Sequence, residues 1–592
     1  MTGPWVDGVE DLVAGIGSGS RVGVSGFHFT RAPIAALRAL AGTGVSGLHY
    51  IAWGGGLPLE LLLGHGAVAR ATLCFASLDV LGPAPRFRRA VESGELELDE
   101  WTALGIINGF RAAGENLAFE VMQEPEGSSL GPGFSRRLAD PFGLDSPPMS
   151  AVPPLPLDVL LLHAQRADDD GNVELAGARG LDMPAIFAAR EVYVTVEERV
   201  RRGELGAPRS FVLPRTFVTR VAEVPFGAYP TSCLPHYPAD FRALREIVDA
   251  GPAGPLPGPA LVAAPARRAV LSARAALPAE RVSAALAATP RAAPAEYTAE
   301  YTAEYTVDEL MVCVLARTIG PTGICSVGAA SPLPTAAYLL AKHLWAPELV
   351  LMSHSGGLVD PPVRPLSLAA AEFLDHHLSA AHTGGDETYH WYYQRGLITH
   401  EVVGAAQVDA TGATNNLWVA KQDGTPVRLP GQGGMADVAN LHANFMIYLP
   451  RQSTRNLVAK LGTVSARRAW HDPEERRRFG LRPGRTVVLT DLGMFEYDQD
   501  AAALTLRTLH PGVRIEDLRE RTGFDVLEAA DLATTEPPTE RELTALRTVV
   551  DPLGVRRLDT VSSADRQHLI DALLDVEERI LDDLVAHRVE QS

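Results

Sequence analysis

The sequence is poor in cysteine and in lysine. Its four cysteines, Cys74, Cys233, Cys313 and Cys325, show no C-x-x-C spacing and no paired histidine ligands. That pattern argues against a zinc site and against a disulfide framework, and it predicts buried thiols in a reducing compartment. We therefore predict no metal centre. Lysine supplies only three of the 53 basic residues, so most basic sites are arginines.

The chain also lacks a long apolar run and an excess of positive charge. No stretch of about 18 consecutive apolar residues occurs, and the start shows no basic segment followed by an apolar one. The formal net charge of −19 argues against general binding to nucleic acids or to membrane surfaces. We expect a cytoplasmic protein whose partners are small molecules.

What is present indicates a large globular α/β protein. The 592 residues exceed the size of one hydrophobic core and should fold as several domains. A strand pattern at Arg21–Phe27 precedes a helix pattern at Ala32–Leu40, and a second strand pattern at Leu48–Ile51 runs into a glycine turn. This alternation predicts mostly parallel sheets flanked by helices.

Glycine turns after predicted strands are candidates for binding a substrate. Backbone N–H groups in such turns can hold an oxyanion or a phosphate, although a single turn of this kind is more often a plain tight turn. His28 directly follows the first turn and is either a second acid or base or an exposed turn histidine. The binding candidates are Gly26, Phe27, Gly54, Gly55, Gly56, Gly431, Gly433 and Gly434.

The stretch Leu349–Asp360 is the main candidate for chemistry. An apolar run that should form a buried strand ends in a Ser-His-Ser-Gly-Gly loop at residues 353–357, where glycine lets the backbone approach a ligand. Loops at the carboxyl ends of strands are where α/β folds usually bind and react. His354 and Ser355 are therefore predicted catalytic residues, and a hydrogen-bonded loop histidine is the alternative.

Several motifs, in order along the chain, resemble family I CoA-transferases of the glutaconate CoA-transferase type. A strand that ends in His-Ala-Gln at residues 163–165 and the Val-Thr-x-Glu-Glu of residues 194–198 resemble the first subunit of those enzymes. The Gly-Ala-x-Gln-x-Asp of residues 404–409 and the glycine loop of residues 431–437 resemble the second. The resemblance implies two subunits fused in one chain, folded as two similar α/β domains that pack as a pseudo-dimer around a reacting thioester.

The resemblance, together with the shifts in composition and in apolar spacing, divides the chain into four segments. Residues 1–250 are the predicted domain like the first CoA-transferase subunit, and residues 305–555 are the domain like the second. The Ala/Pro-rich residues 251–304 between them predict a linker with room for one loose helix, and an Ala-Glu-Tyr-Thr sequence repeats three times from Ala295 through Thr306. Residues 556–592 have apolar residues every three or four positions, which predicts an amphipathic helix docked on its own domain or in an oligomer contact.

The resemblance also implies a change of mechanism. Where those enzymes carry a nucleophilic Glu before Ser-Gly, this chain carries His354. Imidazole cannot hold CoA as a thioester, but near pH 7 it can accept an acyl group or remove a proton from water. We predict an enzyme acting on an acyl-CoA thioester, by hydrolysis or ring opening assisted by His354 or by direct CoA transfer to a carboxylate. The alternative is a catalytically silent paralogue that binds CoA or a partner.

Three further expectations concern the surroundings of this loop. Asp360, Glu372 or Asp375 could replace the missing Glu through a local rearrangement. Coenzyme A is expected as part of the substrate, with no permanently bound cofactor, and a homo-oligomer is left open. Four aromatic residues are either core or pocket, namely Trp53, Trp391, Tyr392 and Tyr393.

Overall fold

A computed structural model describes residues 3–143, 146–289, 305–328, 331–353, 357–421 and 423–591. The predicted catalytic residues His354 and Ser355 lie outside these ranges, as does most of the Glu-Tyr-Thr repeat. The described residues form two halves, each built around a mostly parallel sheet flanked by helices. The predicted fold class is confirmed.

The first half is organised by a sheet whose central strands are parallel. The strands of this half are β1 (Arg21–Val24), β2 (Leu48–Ile51), β3 (Gly54–Gly55), β4 (Val68–Leu73), β5 (Phe75–Ala76), β6 (Glu97–Glu100), β7 (Glu120–Gln123), β8 (Arg136–Leu138), β9 (Met149–Val152), β10 (Leu157–Asp168), β11 (Val173–Ala176), β12 (Ala189–Val200), β13 (Ser210–Leu213) and β14 (Arg220–Glu223). The main sheet runs β13-β11-β10-β1-β2-β4-β6, and β12 pairs with both β10 and β14. Only the β10–β11 and β11–β13 pairs of this sheet are antiparallel among the described residues.

The second half repeats this plan with a longer sheet. Its strands are β15 (Ile324–Ser326), β16 (Val350–Ser353), β17 (Leu358–Val359), β18 (Ala381–His382), β19 (His400–Gly404), β20 (Gln407–Val408), β21 (Thr414–Asn415), β22 (Trp418–Ala420), β23 (Pro426–Arg428), β24 (Asn444–Leu449), β25 (Thr486–Thr490), β26 (Gly493–Asp498), β27 (Ala503–Leu509) and β28 (Leu527–Thr534). The sheet runs β18-β17-β16-β15-β19-β24-β25-β26-β27-β28, with β16, β15, β19, β24 and β25 parallel at its centre.

Helices cover the faces of both sheets. They are α1 (Val9–Val13), α2 (Ile34–Gly42), α3 (Leu57–Gly64), α4 (Pro85–Glu92), α5 (Ala103–Gly114), α6 (Gly131–Phe134), α7 (Asp182–Ala188), α8 (Phe241–Asp249), α9 (Pro265–Ala275), α10 (Ala279–Ala288), α11 (Val307–Arg317), α12 (Pro332–Leu344), α13 (Ala371–Leu378), α14 (Gly385–Thr388), α15 (Met435–Leu441), α16 (Pro473–Arg478), α17 (Ile515–Glu520), α18 (Glu540–Ala545) and α19 (Ser563–Gln591). A π-helical turn, Tyr389–Tyr393, follows α14. No helix in the described part of the chain has both the length and the apolarity needed to cross a lipid bilayer.

The apolar strands explain this layering. β10 contains an unbroken apolar run, Val159–Leu162, and β12 contains Val192–Val196, and both runs are buried. Parallel strands covered by helices on both faces need such continuous apolar sequences. Because β1, β2 and β4 run in parallel, the loops that follow them leave the same edge of the sheet. The same holds for β15, β16 and β19 in the second half.

The predicted linker is more ordered than its composition indicates. Where one loose helix was expected, the structure has α9 and α10, and both pack against α19. Leu271, Val282 and Leu286 from these helices are buried. Alanine favours helix, and the few large apolar residues are spaced to face the protein, which the overall composition of the segment conceals.

The C-terminal segment forms the long helix α19, as its spacing predicts. Leu569, Leu573 and Leu574 are buried against the rest of the chain. Arg267 and Arg274 of α9 bind acidic residues of this helix, at N–O distances of 2.8–3.3 Å. In this structure α19 therefore packs against its own chain.

Candidate active site

Two adjoining cavities lie where the two halves meet. Both are bounded by loops that follow parallel strands of each sheet, the location where α/β folds bind ligands. Four residues, Asp79, Val327, Gly328 and Ser331, line both cavities, so the two spaces are neighbours within one cleft.

The larger space, which we call the aromatic cavity, has a volume of about 400 Å³. The first half contributes its wall after β1, β2 and β4, and the second half contributes residues of β19, the loop after β23 and the turn after α14. Five aromatic side chains line it: Phe27, Trp53, Phe75, Tyr389 and Tyr393. Of the aromatic residues that the sequence left undecided, Trp53 and Tyr393 are pocket residues, whereas Trp391 is half exposed.

The smaller space, the adjoining cavity, has a volume of about 180 Å³. Ser353, the last described residue before the predicted catalytic loop, lines it, and so do His28 and Glu372. β16 and β17 pair as a hairpin with Ser353 opposite Leu358, so the described ends of the 353–357 loop stand beside this cavity. The catalytic roles assigned to His354 and Ser355 remain predictions.

The first predicted glycine turn is located at the cleft, and its backbone geometry requires glycine. Gly26 has a φ of 84°, and a Cβ atom there would come within 2.5 Å of the Thr30 carbonyl oxygen. Phe27 donates its N–H to that same carbonyl at 3.2 Å. His28 lines the adjoining cavity, and its Nδ1 is 2.9 Å from a carboxylate oxygen of Asp79. His28 is thus a partly buried residue of the cleft, in contact with Asp79, and not an exposed turn histidine.

The other two glycine groups pack closely against the protein. A Cβ atom at Gly54 would lie 2.7 Å from the Phe75 ring. Gly431 and Gly433 each donate their N–H to a backbone carbonyl at 3.0 Å, those of Asn416 and Cys74 respectively. These N–H groups therefore fix the loop in place, and a ligand beside it has to be bound by other groups. A role of the glycine loops in substrate binding stays a prediction.

Glu401 is a site residue that the sequence reasoning missed. It lies on β19, is buried, and lines the aromatic cavity. The Tyr393 hydroxyl donates to its Oε2 at 2.7 Å, and Ser326 forms hydrogen bonds with both Tyr393 and Glu401. Burial raises the pKa of Glu401 to about 7, although both hydrogen bonds act in the opposite direction. The available signal was an acidic residue within the apolar strand His400–Gly404.

The groups behind Glu401 do not supply it with a cation. Nδ1 of His442 is 3.6 Å from Oε2, but burial lowers the pKa of His442 well below its usual value. Neither ring nitrogen of His442 has a hydrogen-bond partner within the described ranges. Asp437 of α15 is also buried, and burial raises its pKa to about 7, with the charge of Glu401 adding to the rise. Both carboxyl groups at the back of the cavity therefore gain and lose their protons close to neutral pH.

The three acidic residues considered as replacements for the missing Glu all have firm partners. Asp375 is buried in a two-pronged pair with Arg364, at 2.5 and 2.6 Å. Asp360 pairs with Lys342 at 2.5 Å. Glu372 lines the adjoining cavity, where it accepts hydrogen bonds from two hydroxyl groups of the first half, at 2.8 and 2.9 Å.

One group of side chains has the composition of a metal site. His163, Glu197 and Cys233 place ligand atoms within 4.8 Å of one another, in the core of the first half. Glu197 already accepts hydrogen bonds from Tyr237 and from the backbone N–H groups of Phe226 and Gly227, besides its contact with His163. Because these donors fill the positions that a metal would need, the cluster fits a buried hydrogen-bond network.

Comparisons with known proteins agree with this architecture. The coenzyme A transferase family matches residues 6–224 and 314–521, which together cover most of the chain. Both subunits of the 3-oxoadipate CoA-transferase of Pseudomonas knackmussii are similar to it. The second of them is 33% identical over 40% of this chain and 91% of its own length. The first is 34% identical over 38% of this chain and 81% of its own length.

Two further relatives bear on chemistry and fold. The cholesterol ring-cleaving hydrolase IpdA subunit of Mycobacterium tuberculosis is 30% identical over 41% of this chain and 86% of its own length. The crystal structure of the acyl-CoA transferase YdiF from Escherichia coli O157:H7 has a TM-score of 0.64 and 14% identity, and the match covers 90% of this chain and 95% of that one. This last likeness concerns the fold alone.

Proposed function

The chain belongs to the coenzyme A transferase family, with parts like both subunits of such enzymes in one polypeptide, and from this we propose that it hydrolyses an acyl-CoA thioester, or opens a ring on one, in the cleft between its halves. The observation that carries the proposal is the aromatic cavity. It places a buried, titratable carboxylate beside apolar walls, within one cleft with the cavity that Ser353 lines. A CoA ester combines an apolar acyl group with a carbonyl that proton transfer can activate.

The firm partners of the acids near the 353–357 loop support attack by water. Asp360 and Asp375 are paired with cations, and Glu372 is held by two hydroxyl groups. Asp360 and Asp375 could form a covalent acyl or CoA adduct only by losing the cations that pair with them. We assign the assisting role in the loop to His354, as acyl acceptor or as proton acceptor from water.

CoA transfer to a carboxylate is the second candidate. Its support is the identity of 33% and 34% to the two subunits of a relative named as a CoA-transferase. The relative named as a ring-cleaving hydrolase subunit supports the first candidate. A silent protein that only binds CoA is the third candidate, and turnover separates all three.

The test is incubation of the purified protein with a panel of acyl-CoAs, with and without acetate or succinate. Free CoA and free acid without an acceptor indicate hydrolysis, and new CoA esters that require the acceptor indicate transfer. No product with any substrate would reject the enzymatic proposal.

The residue assignment is tested separately. His354→Ala should lower the rate at least about a hundredfold, the lower range of what a positioned proton-transfer group contributes. His587→Ala is the matched control, since His587 lies near the exposed end of α19, far along the chain from the cleft loops. Activity of His354→Ala within about threefold of the wild type, roughly 0.7 kcal/mol of barrier, would reject the assignment.

A further inference from the structure

Glu401 is a buried acid whose carboxylate does not neutralise the charge of a neighbouring arginine or lysine among the described residues. β19 lies between β15 and β24 at the centre of the second sheet, and the neighbours of Glu401 on that sheet are mostly apolar. A carboxylate buried for stability is normally paired with a cation. Among the described residues, no arginine or lysine forms an ion pair with Glu401, and its nearest basic group is the uncharged ring of His442.

The carboxyl group is nevertheless held in one orientation. Tyr393 and Ser326 bind it from the turn after α14 and from β15. Oε2 accepts the hydrogen bond from Tyr393, while Oε1 lies on the side of Gly328, where a Cβ atom would come within 3.8 Å of it. Gly328 lines both cavities. Oε2 is thus anchored by Tyr393, and Oε1 lies near a residue that borders the space where a substrate would bind.

The geometry points to Glu401 as a catalytic base, an inference that rests on the hydrolysis proposed above. Its carboxylate takes a proton from a water molecule as the water oxygen attacks the thioester carbonyl carbon. A C–O bond forms, the C–S bond breaks, and the proton passes to the departing sulfur. The products are one carboxylic acid and one CoA thiol, and Glu401 returns to its carboxylate form.

The surroundings set the pH at which such a base works. Tyr389, Tyr393 and His442 lie close to the carboxyl group, with the Tyr393 and His442 rings in contact, and Asp437 is an acidic neighbour whose pKa the charge of Glu401 raises. Arg468 and Arg476 lie behind His442 and contribute to keeping it neutral. With burial raising the pKa of Glu401 to about 7, the group exchanges protons close to neutral pH, where a general base is most effective.

Two variants test the role. Glu401→Gln keeps the shape and should lower kcat at least about a hundredfold, with KM within about threefold, and should abolish the acid limb of the pH–rate profile. Tyr393→Phe removes a hydrogen bond that favours the carboxylate, so it should move that limb to higher pH. A purely structural role would not shift the limb.

Glu496→Gln is the matched control, because Glu496 lies on the same sheet and pairs with Arg485 at the surface. If the wild type is active and Glu401→Gln keeps both its rate and its acid limb, the role is wrong although the proposed function stands. If the wild type turns over no acyl-CoA, both are wrong. If mass spectrometry finds CoA covalently bound to Glu401, then Glu401 acts as a nucleophile and not as a base, and CoA transfer is favoured over hydrolysis.

A second, independent observation concerns the acyl group. The described residues that line the aromatic cavity include no lysine, arginine or histidine, and they include two acidic residues, Glu401 and Asp79. The one arginine among the described residues of the adjoining cavity, Arg364, is already bound to Asp375. An acyl group with a carboxylate at its far end would meet no free arginine or lysine among these described residues, and in the aromatic cavity it would lie beside two acids.

We infer that the preferred acyl group is uncharged and apolar, which also rests on the proposed function. Matched CoA esters test this: pentanoyl-CoA against glutaryl-CoA, and butanoyl-CoA against succinyl-CoA. The uncharged member of each pair should have at least a tenfold higher kcat/KM. Equal or better turnover of glutaryl-CoA and succinyl-CoA would reject the inference, while leaving acyl-CoA hydrolysis itself established.

Discussion

Glu577, in the C-terminal helix α19, should control the stability of one wall of the cleft. Its side chain is fully buried, and it accepts hydrogen bonds from the N–H groups of Leu368 and Ala369, each at 2.7 Å, and from the Ser367 hydroxyl at 2.8 Å. Residues 366–369 line the adjoining cavity. Glu577→Ala leaves two backbone donors without acceptors, which costs about 1–3 kcal/mol each.

The loss should be local and measurable by native-state hydrogen exchange. A total of about 2–6 kcal/mol corresponds to exchange at least roughly thirtyfold faster at residues 367–369, because about 1.4 kcal/mol is a factor of ten. KM for the acyl-CoA should rise more than kcat falls, since the wall and not the reacting group is disturbed. The control is Asp583→Ala, an exposed position on the same helix. Exchange within threefold of the wild type in this segment would refute the reasoning.

Three further predictions follow from buried groups. Arg364→Met should destabilise the protein by about 3–5 kcal/mol, because it leaves the buried carboxylate of Asp375 without its cation. The double variant with Asp375→Leu should recover part of the lost melting temperature. Gly431→Ala should lower activity and melting temperature, since φ at Gly431 is 113° and the added Cβ would meet backbone atoms within 3 Å. Gly424→Ala is the control: its φ is 83° but the added Cβ would enter open space, so its activity and melting temperature should fall much less. The contribution of Glu401 to stability should fall as the pH rises from about 4.5 to about 7, because burial raises its pKa to about 7: the unfolded chain releases this proton first, so the folded state binds one more proton in that window. Melting curves of the wild type and of Glu401→Gln at pH 5 and 7.5 test this, since the variant should lose relatively less stability, or gain more, on going to pH 7.5.

The sequence predicts the architecture well because the architecture depends on local patterns. Apolar runs such as Leu157–Leu162 and Val350–Met352 form the expected parallel strands, and the following glycine turns lie at the strand ends. Gly26 even keeps the positive φ that its turn position suggests. These features need only the chain's own periodicity and the requirement that strands be buried on both faces.

The site was predicted less completely, because it depends on which distant side chains meet. Of the residues predicted to bind, Phe27, Gly431, Gly433 and Gly434 line the aromatic cavity, whereas Gly26 and Gly54–Gly56 line a separate small space beside His28. Glu401 was missed, since an acid in a strand gives no sign from sequence alone of whether it faces solvent, a cation or a cavity. Its partner Tyr393 comes from a separate turn and its neighbour Asp437 from a third element, and only the fold brings the three together.

The segment between the halves was underestimated for a related reason. Its composition is typical of a tether, yet Arg267 and Arg274 on α9 bind acidic residues of α19, and Arg267 also binds the buried Asp240 of the first half. α19 in turn holds the wall at residues 367–369 through Glu577. The joining segment therefore connects the first half to α19, and α19 connects it to the wall of the cleft. The stability of the cleft wall should depend on these contacts. Cutting the chain within residues 290–304 should leave the halves associated, whereas Arg267→Ala with Arg274→Ala should speed exchange at residues 367–369 in the uncut chain as well.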